Sequence, residues 1–271
     1  MSGHSKWAKI KRQKGAKDTQ RGALFTKLAR NITIAAQEGG GDPDMNFSLR
    51  LAIQKGKEAN MPQDNIDRAI KKGTGELKSD VIVKNSYEVV TPFSIGLVVD
   101  TSTDNSNRTV SEIKNIVEKA GSKLGESGSV SWQFEEQGYI ELGVAKLVKS
   151  EKYGESDKYI DASLEEIEEV LLDVDDVLDY EEYLSGDDDE FEPTNDRPKG
   201  RIYLQIRTEK SALKSISERL SKLGWQVIES QIIKHPQNKV KIDEEDFVKL
   251  ERLISNIEDY DDVDDVWHNA E

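Results

Sequence analysis

The 271-residue chain carries 38 Lys+Arg against 53 Asp+Glu, a formal charge of −15, and contains no cysteine. The missing cysteine excludes disulfides, a thiolate nucleophile and a Cys-based zinc site, and the sequence has no run of about 18 apolar residues to span a bilayer as a helix. Charge is distributed unevenly: residues 1–75 hold 15 basic and 7 acidic side chains, and residues 76–271 hold 23 and 46. A basic quarter within an acidic protein is the electrostatic footprint of a surface for a polyanion. The length predicts two or three domains. The basic N-terminus lacks the apolar core of a secretory signal, so a cytoplasmic protein is expected.

Residues 1–19 are Lys-rich, with Trp7 and Ile10 as their large apolar groups. They read as an arm, helical or ordered only when bound. From Gln20 to Glu38, Leu24, Leu28, Ile32 and Ala35/Ala36 recur at helical spacing. Gly39-Gly40-Gly41 stops that helix, and Asp42-Pro43 supplies an N-cap and first-turn proline for the next. Met45, Leu49, Ala52, Ile53 and Gly56 form the apolar face of this second helix. Asn60-Met61-Pro62 is a tight connection to a third helix, marked by Ile66, Ala69 and Ile70 and ended by Gly73. Helices joined by such short links predict a small bundle.

Lys78 to Lys84 reads as a linker, after which the period becomes alternating. Strands are expected at Tyr87–Thr91 and Ile95–Thr101, around a turn at Thr91-Pro92-Phe93-Ser94. A helix follows with Val110, Ile113, Val117 and Ala120 on one face, and Thr109 with Glu112 matches a capping box. Gly121, Gly125 and Gly128 punctuate a loop before a strand at Ser129–Phe134. A second pattern then runs strand Tyr139–Val144, helix Leu164–Leu172, strand Val177–Tyr180, strand Arg201–Thr208, helix Ala212–Leu223, strand Trp225–Ile232. That order is ferredoxin-like. Residues 145–160 form an extra polar stretch, and the acidic, proline-bearing Glu182–Lys199 reads as a disordered loop. A helix at Glu245–Ile257 and a strand at Val263–Trp267 close the chain, the strand pairing with the sheet of residues 87–134. The expected fold is multi-domain α+β. A basic helical bundle with its arm occupies 1–77, a discontinuous α+β domain takes 82–136 plus 233–271, and an inserted ferredoxin-like domain takes 137–232, with its acidic loop at 182–199.

Candidate binding residues start in the basic arm: Lys6, Lys9, Lys11, Arg12, Lys14, Lys17 and Arg21, then Lys27 and Arg30 on the first helix. Only Asp18 opposes them among residues 1–30. Such side chains bind phosphates by releasing condensed counterions, which makes affinity steeply salt-dependent. Trp7 could stack on an unpaired base, worth ~1–3 kcal/mol, or fold back onto the bundle. The helix–Asn60-Met61-Pro62–helix element invites a helix-turn-helix reading. Asp64 and Asp67 at the start of its second helix would face phosphate oxygens, so a plain bundle turn is preferred, with Arg68, Lys71 and Lys72 free to hold backbone. Asn105, Asn107 and Arg108 lie at a predicted helix N-terminus, where an anion is favoured, although ordinary capping explains them without a ligand.

Lys199-Gly200-Arg201-Ile202-Tyr203-Leu204 partly imitates an RNA-recognition-motif strand, but Arg201, Ile202 and Ile206 stand where that motif needs aromatic or small residues. Residues 155–196 moreover carry 19 acids against one lysine. That reading is rejected. His4, His235 and His268 have no catalytic context. No Walker phosphate loop, zinc-protease helix or EF-hand spacing occurs. No enzyme, cofactor or metal is expected.

Several multi-residue motifs resemble the YebC family in order. They are Gly3-His4-Ser5-Lys6-Trp7, Gly39-Gly40-Gly41-Asp42-Pro43, Ala59-Asn60-Met61-Pro62 and Ile70-Lys71-Lys72-Gly73-Thr74-Gly75. Further along come Thr103-Asp104-Asn105 with Asn107-Arg108-Thr109, and Gly128-Ser129-Val130-Ser131-Trp132 with Phe134. The match is dense over residues 2–136 and looser beyond. The resemblance implies three domains, a helical bundle, an α+β domain and a ferredoxin-like domain inserted into the latter. Members are assigned as DNA-binding transcriptional regulators, and relatives include a mitochondrial translational activator and ribosome-associated translation factors. The chain departs from the family at Thr91-Pro92-Phe93-Ser94, where a Gly-Pro-Gly-Gly turn is usual, and in the acidic stretches 145–160 and 182–199. The motif starting at Met1 suggests a bacterial-type protein without a leader. DNA and ribosomal RNA, or the ribosome, are thus the expected partners, with no membrane and no small-molecule substrate. No apolar dimer element is evident, which leans toward the ribosome and is compatible with a monomer; the family's usual assignment leans toward DNA.

Overall fold

The computed structural model describes residues 18–78, 81–150, 158–186 and 198–271. The expectations for the arm up to Lys17 and for residues 187–197 fall outside the described residues. Helices α1 (Asp18–Gly39), α2 (Phe47–Glu58) and α3 (Gln63–Gly73) come first. They share a core of Ile32, Ala35, Ala36, Leu49, Ile66 and Ala69, the residues that helical spacing turns to one side of each helix, with Met61 added from the link between α2 and α3. Thr33 lies in the same seam, its hydroxyl 3.1 Å from the Ala69 carbonyl. Gly73 permits the close approach of α3 to α1, because a Cβ there would run into the Thr33 carbonyl oxygen and the Ala36 Cβ.

Two local expectations for the bundle are corrected. The cap of α2 is Asn46, whose side chain accepts the Leu49 N–H at 3.1 Å and donates to the carbonyls of Ala35 and Gly40. Asp42 and Pro43 instead belong to a turn closed by Asn46 N–H on the Asp42 carbonyl. Met45 is therefore outside the helix and 84% exposed, and Phe47 is buried in its place. Leu24 is also exposed, one turn before the helix enters its core.

After the bundle come β1 (Val83–Val90), β2 (Gly96–Thr103), α4 (Ser106–Lys119), β3 (Lys123–Leu124) and β4 (Phe134–Val148). Next are β5 (Lys158–Asp161), α5 (Leu164–Leu172), β6 (Val177–Leu184), β7 (Ile202–Glu209), α6 (Leu213–Lys222), β8 (Trp225–Pro236), α7 (Glu244–Glu258) and β9 (Val263–His268). The chain divides into two compact units, one holding the residues up to Glu135 together with His235–Glu271, the other Glu136–Lys234.

In the first unit the strands run β3-β1-β2-β9. Alternation puts Val89, Leu97 and Val99 on one face, and an irregularity in the β2–β9 pairing brings both Val263 and Val266 to it, where α4 and α7 cover them with Ile113, Val117, Leu250, Leu253, Ile254 and Ile257. The cap of α4 is Asn105, which accepts the Arg108 N–H at 3.1 Å. The expected Thr109–Glu112 box does not form, since Thr109 is already inside the helix and fully buried. Ala120 sits at the helix end, exposed. The segment expected as a strand from Ser129 is a 3₁₀ turn, Ser131–Gln133, and the strand begins at Phe134. Glu88 is the reason. Its carboxylate accepts the N–H groups of Gly128 at 2.7 Å, Ser131 at 2.9 Å and Val130, folding that backbone around one anion. Ser94, in the turn that departs from Gly-Pro-Gly-Gly, has φ +63°, a left-handed conformation that glycine adopts more cheaply.

In the second unit β4 pairs antiparallel with β7, and β7 with β6. β8 adds to the other side of β4. The order β8-β4-β7-β6 is that of a ferredoxin-like sheet. Two corrections concern its edges. Residues 145–148 are not a polar excursion but the end of β4, paired with β5. Glu182–Leu184 complete β6 rather than opening a loop. Tyr203 is fully buried and stacked on Tyr183 at 5.3 Å, so it presents no ring to a base.

Candidate nucleic-acid interface

The basic bundle and the start of α4 meet within the first unit. Asp262, in the turn between α7 and β9, is the meeting point and is 4% exposed. Its Oδ2 takes Arg108 Nη2 at 2.9 Å, with the Thr103 and Thr109 hydroxyls at 2.9 and 2.8 Å and the Tyr260 hydroxyl at 3.1 Å. Its Oδ1 takes Arg30 Nη2 at 3.2 Å. Burial alone would raise this carboxyl's pKa; the bonds from Arg108, Thr109, Thr103 and Tyr260 outweigh it and hold the pKa below the usual range. The hydrogen bond to Asp262, with those to Tyr260 and Asp104, in turn raises the Arg108 pKa. Both side chains are fixed in their charged forms.

Around this hub the expected site residues divide into two kinds. Lys27 donates to the Glu258 carbonyl at 2.7 Å, and Arg30 to the Asp261 carbonyl as well as to Asp262. Arg108 bridges Asp104 and Asp262, and Asn105 caps α4. Lys27 and Arg30 thus tie the bundle to the end of α7 and the turn after it, while Arg108 and Asn105 fix the start of α4, Asn105 as the capping alternative anticipates. Asn107 is exposed at the same helix start. Arg68, Lys71 and Lys72 are exposed on α3 and make no ion pair among the described residues. Lys6, Trp7, Lys9, Lys11, Arg12, Lys14 and Lys17 lie outside the described residues, and so does the side chain of Arg21.

Arg30, Arg68, Lys72 and Arg108 line one cleft of about 540 Å³ together with Asp104 and Asp262. Asn65 and Lys78 join them, neither singled out by the sequence. Lys78 opens the stretch that reads as a linker, and only a helical spacing of three from Arg68 sets Asn65 apart from its neighbours. Asp262 was also missed. It is one of six acids in residues 258–265, and nothing local distinguishes it. Near the hub, Asp264 receives the Ser102 hydroxyl at 2.5 Å. Burial, reinforced by Asp265, raises its pKa to about 6 against the opposing pull of Ser102, Arg30 and Lys27. Among the described residues no group of His, Asp and Glu is arranged to hold a metal ion. No helix among them is long and apolar enough to cross a membrane.

Comparison with known proteins matches both parts of the chain. The family model for the TACO1/YebC protein N-terminal domain covers residues 5–76, and that for the TACO1/YebC second and third domain covers residues 82–270. A probable transcriptional regulatory protein of Caldanaerobacter subterraneus is 38% identical over 100% of this chain and 98% of its own length. One from Persephonella marina is 40% identical, over 100% and 96%. The crystal structure of a conserved hypothetical protein from Aquifex aeolicus aligns with a TM-score of 0.73 at 37% identity, covering 98% of this chain and 96% of that one. With these two models together spanning residues 5–76 and 82–270, the chain belongs to the TACO1/YebC family.

Proposed function

We propose that the protein is a non-enzymatic nucleic-acid-binding regulator of gene expression, acting first as a DNA-binding transcriptional regulator. The observation that carries this reading is the basic first quarter of the chain, with Arg68, Lys71 and Lys72 exposed on α3 and without ion pairs among the described residues. Unpaired cations on an otherwise acidic protein give phosphate contacts a local attraction that the overall charge opposes. The names of the relatives, transcriptional regulatory proteins, agree with it.

One feature favours a second reading, a factor that docks on ribosomal RNA. The first turn of α3 carries Asp64, and Gln63 donates to Asp67 at 2.8 Å. A recognition helix would bring those residues to the bases. The cations sit at the opposite end, suited to backbone and shape rather than base edges. Gel-shift titration against duplex DNA at several salt concentrations, alongside co-sedimentation with ribosomes, separates the two. Sequence-dependent DNA binding is the expected outcome. Ribosome association without it would replace the transcriptional role by the translational one, and neither result would end both.

A further inference from the structure

The cleft beside Asp262 has more positive charge than its structural work uses. Arg30 is committed to Asp262 and the Asp261 carbonyl. Arg108 is not fully committed: both of its ion pairs run through Nη2, and beyond these it reaches the Tyr260 hydroxyl, which leaves part of its five-donor fork over. Its side chain is 49% exposed. A guanidinium already fixed by two carboxylates, with donors left over, meets an anion with little further loss of freedom.

On the other wall Arg68 and Lys72 stand four residues apart, so they share one face of α3. Like charges at that spacing repel by a few tenths of a kcal/mol. Asp64 and Asp67 are spaced to relieve them and their neighbour Lys71, yet no ion pair forms, and Asp67 accepts from Gln63 instead. The helix C-terminus offsets part of the repulsion at Lys72 but does little for Arg68, a turn earlier. An anion between the two walls would relieve the rest. The cleft's volume of about 540 Å³ falls in the range of roughly 300–1,000 Å³ usual for small-ligand sites. Its carboxylates are already neutralised by Arg30 and Arg108, so they present little repulsion to a phosphate.

We propose that this cleft seats one phosphate group of a nucleotide, between Arg108 on one wall and Arg68 with Lys72 on the other. The inference rests on the nucleic-acid reading above and narrows it to one place and one ligand chemistry, a phosphate carried either by a polynucleotide or by a free nucleotide. Asn65 and Lys78 extend the donor set along the cleft.

The test is fluorescence anisotropy of the full chain with a labelled single-stranded oligoribonucleotide bearing a 5′-phosphate, with its DNA duplex, and with ATP as competitor. Arg68→Gln with Lys72→Gln should lower oligonucleotide affinity about tenfold or more and reduce the salt slope by about 1–2. Circular dichroism should stay unchanged, because neither side chain makes a hydrogen bond or ion pair among the described residues. Arg108→Lys, which keeps the charge but loses the planar fork, should lower it as well. Displacement of the oligonucleotide by ATP assigns the seat to free nucleotides, and failure to displace assigns it to the polymer; either result supports the seat. Cleft variants that bind as the wild type does, while Lys11→Glu with Arg12→Glu binds weakly, overturn the seat and leave the broader reading standing. A wild-type chain that binds neither strand, duplex nor ATP overturns both.

Discussion

Arg108 and Asp262 lie 154 residues apart in sequence, yet their Nη2 and Oδ2 atoms are 2.9 Å apart. The pair joins the start of α4 to the turn before β9, and Arg30 brings α1 to the same carboxylate. Arg108 is half exposed, so its pair in isolation is worth little. The importance lies in Asp262, around which Thr103, Thr109 and Arg30 are otherwise buried or nearly so. Removing the carboxylate takes an acceptor from each of them, although Arg30 keeps the Asp261 carbonyl and Thr109 the Asn105 carbonyl. Asp262→Ala should cost about 2–4 kcal/mol, read from urea denaturation midpoints, and Asp262→Asn should recover only part of that.

Glu88 gives a pH-dependent prediction. Burial acts to raise its pKa, but the N–H groups of Gly128, Ser131 and Val130 prevail and lower it to about 2. A folded-state pKa below the unfolded value contributes stability that is complete above the unfolded pKa and disappears as pH falls through the folded one. The window therefore runs from about 4.5 down to about 2. Glu88→Gln should destabilise the protein by about 1.5–3 kcal/mol at pH 7, and its stability should fall less than that of the wild type across that window. Thermal melts at stepped pH measure both, and parallel curves would contradict the account.

Asp264 runs the other way. Its pKa is raised to about 6 from 3.8, so the folded state keeps the proton longer than the unfolded state does. Stability should then decline as pH rises between those values and stay lower above them. Asp264→Asn should accordingly stabilise at pH 8 by about 1–2 kcal/mol after allowance for solvent screening, and the advantage should vanish near pH 4. The neutral amide can still accept the Ser102 hydroxyl, which makes the comparison clean.

For the basic N-terminal stretch, Lys11→Glu with Arg12→Glu should weaken binding to any nucleic acid and flatten its salt dependence by about 2. Melting temperature should stay unchanged. Electrophoretic mobility shifts at two or more salt concentrations check the first, and circular dichroism the second.

Sequence periodicity was enough for elements that bury a regular face. Ile66 and Ala69 on α3, the alternation of β2, and the ferredoxin-like order of the second unit all follow from spacings of 3.6 or 2 residues. It failed where a side chain from elsewhere captures the backbone. The turn at Ser131–Gln133 exists because Glu88, some forty residues earlier, binds its N–H groups. Asn46 displaces Asp42 as a cap because the carbonyls of Ala35 and Gly40 hold its amide.

The same division applies to the site. Composition by itself determined that the first quarter of the chain is basic and the remainder acidic, since net charge is a sum that needs no fold. Only the tertiary structure decided which cations are committed. Lys27, Arg30 and Arg108 are tied to the α7–β9 turn, while Arg68, Lys71 and Lys72 make no ion pair among the described residues. The physical reason is distance: electrostatic attraction is long-ranged and legible as a total, but an ion pair depends on a few ångströms that only folding sets.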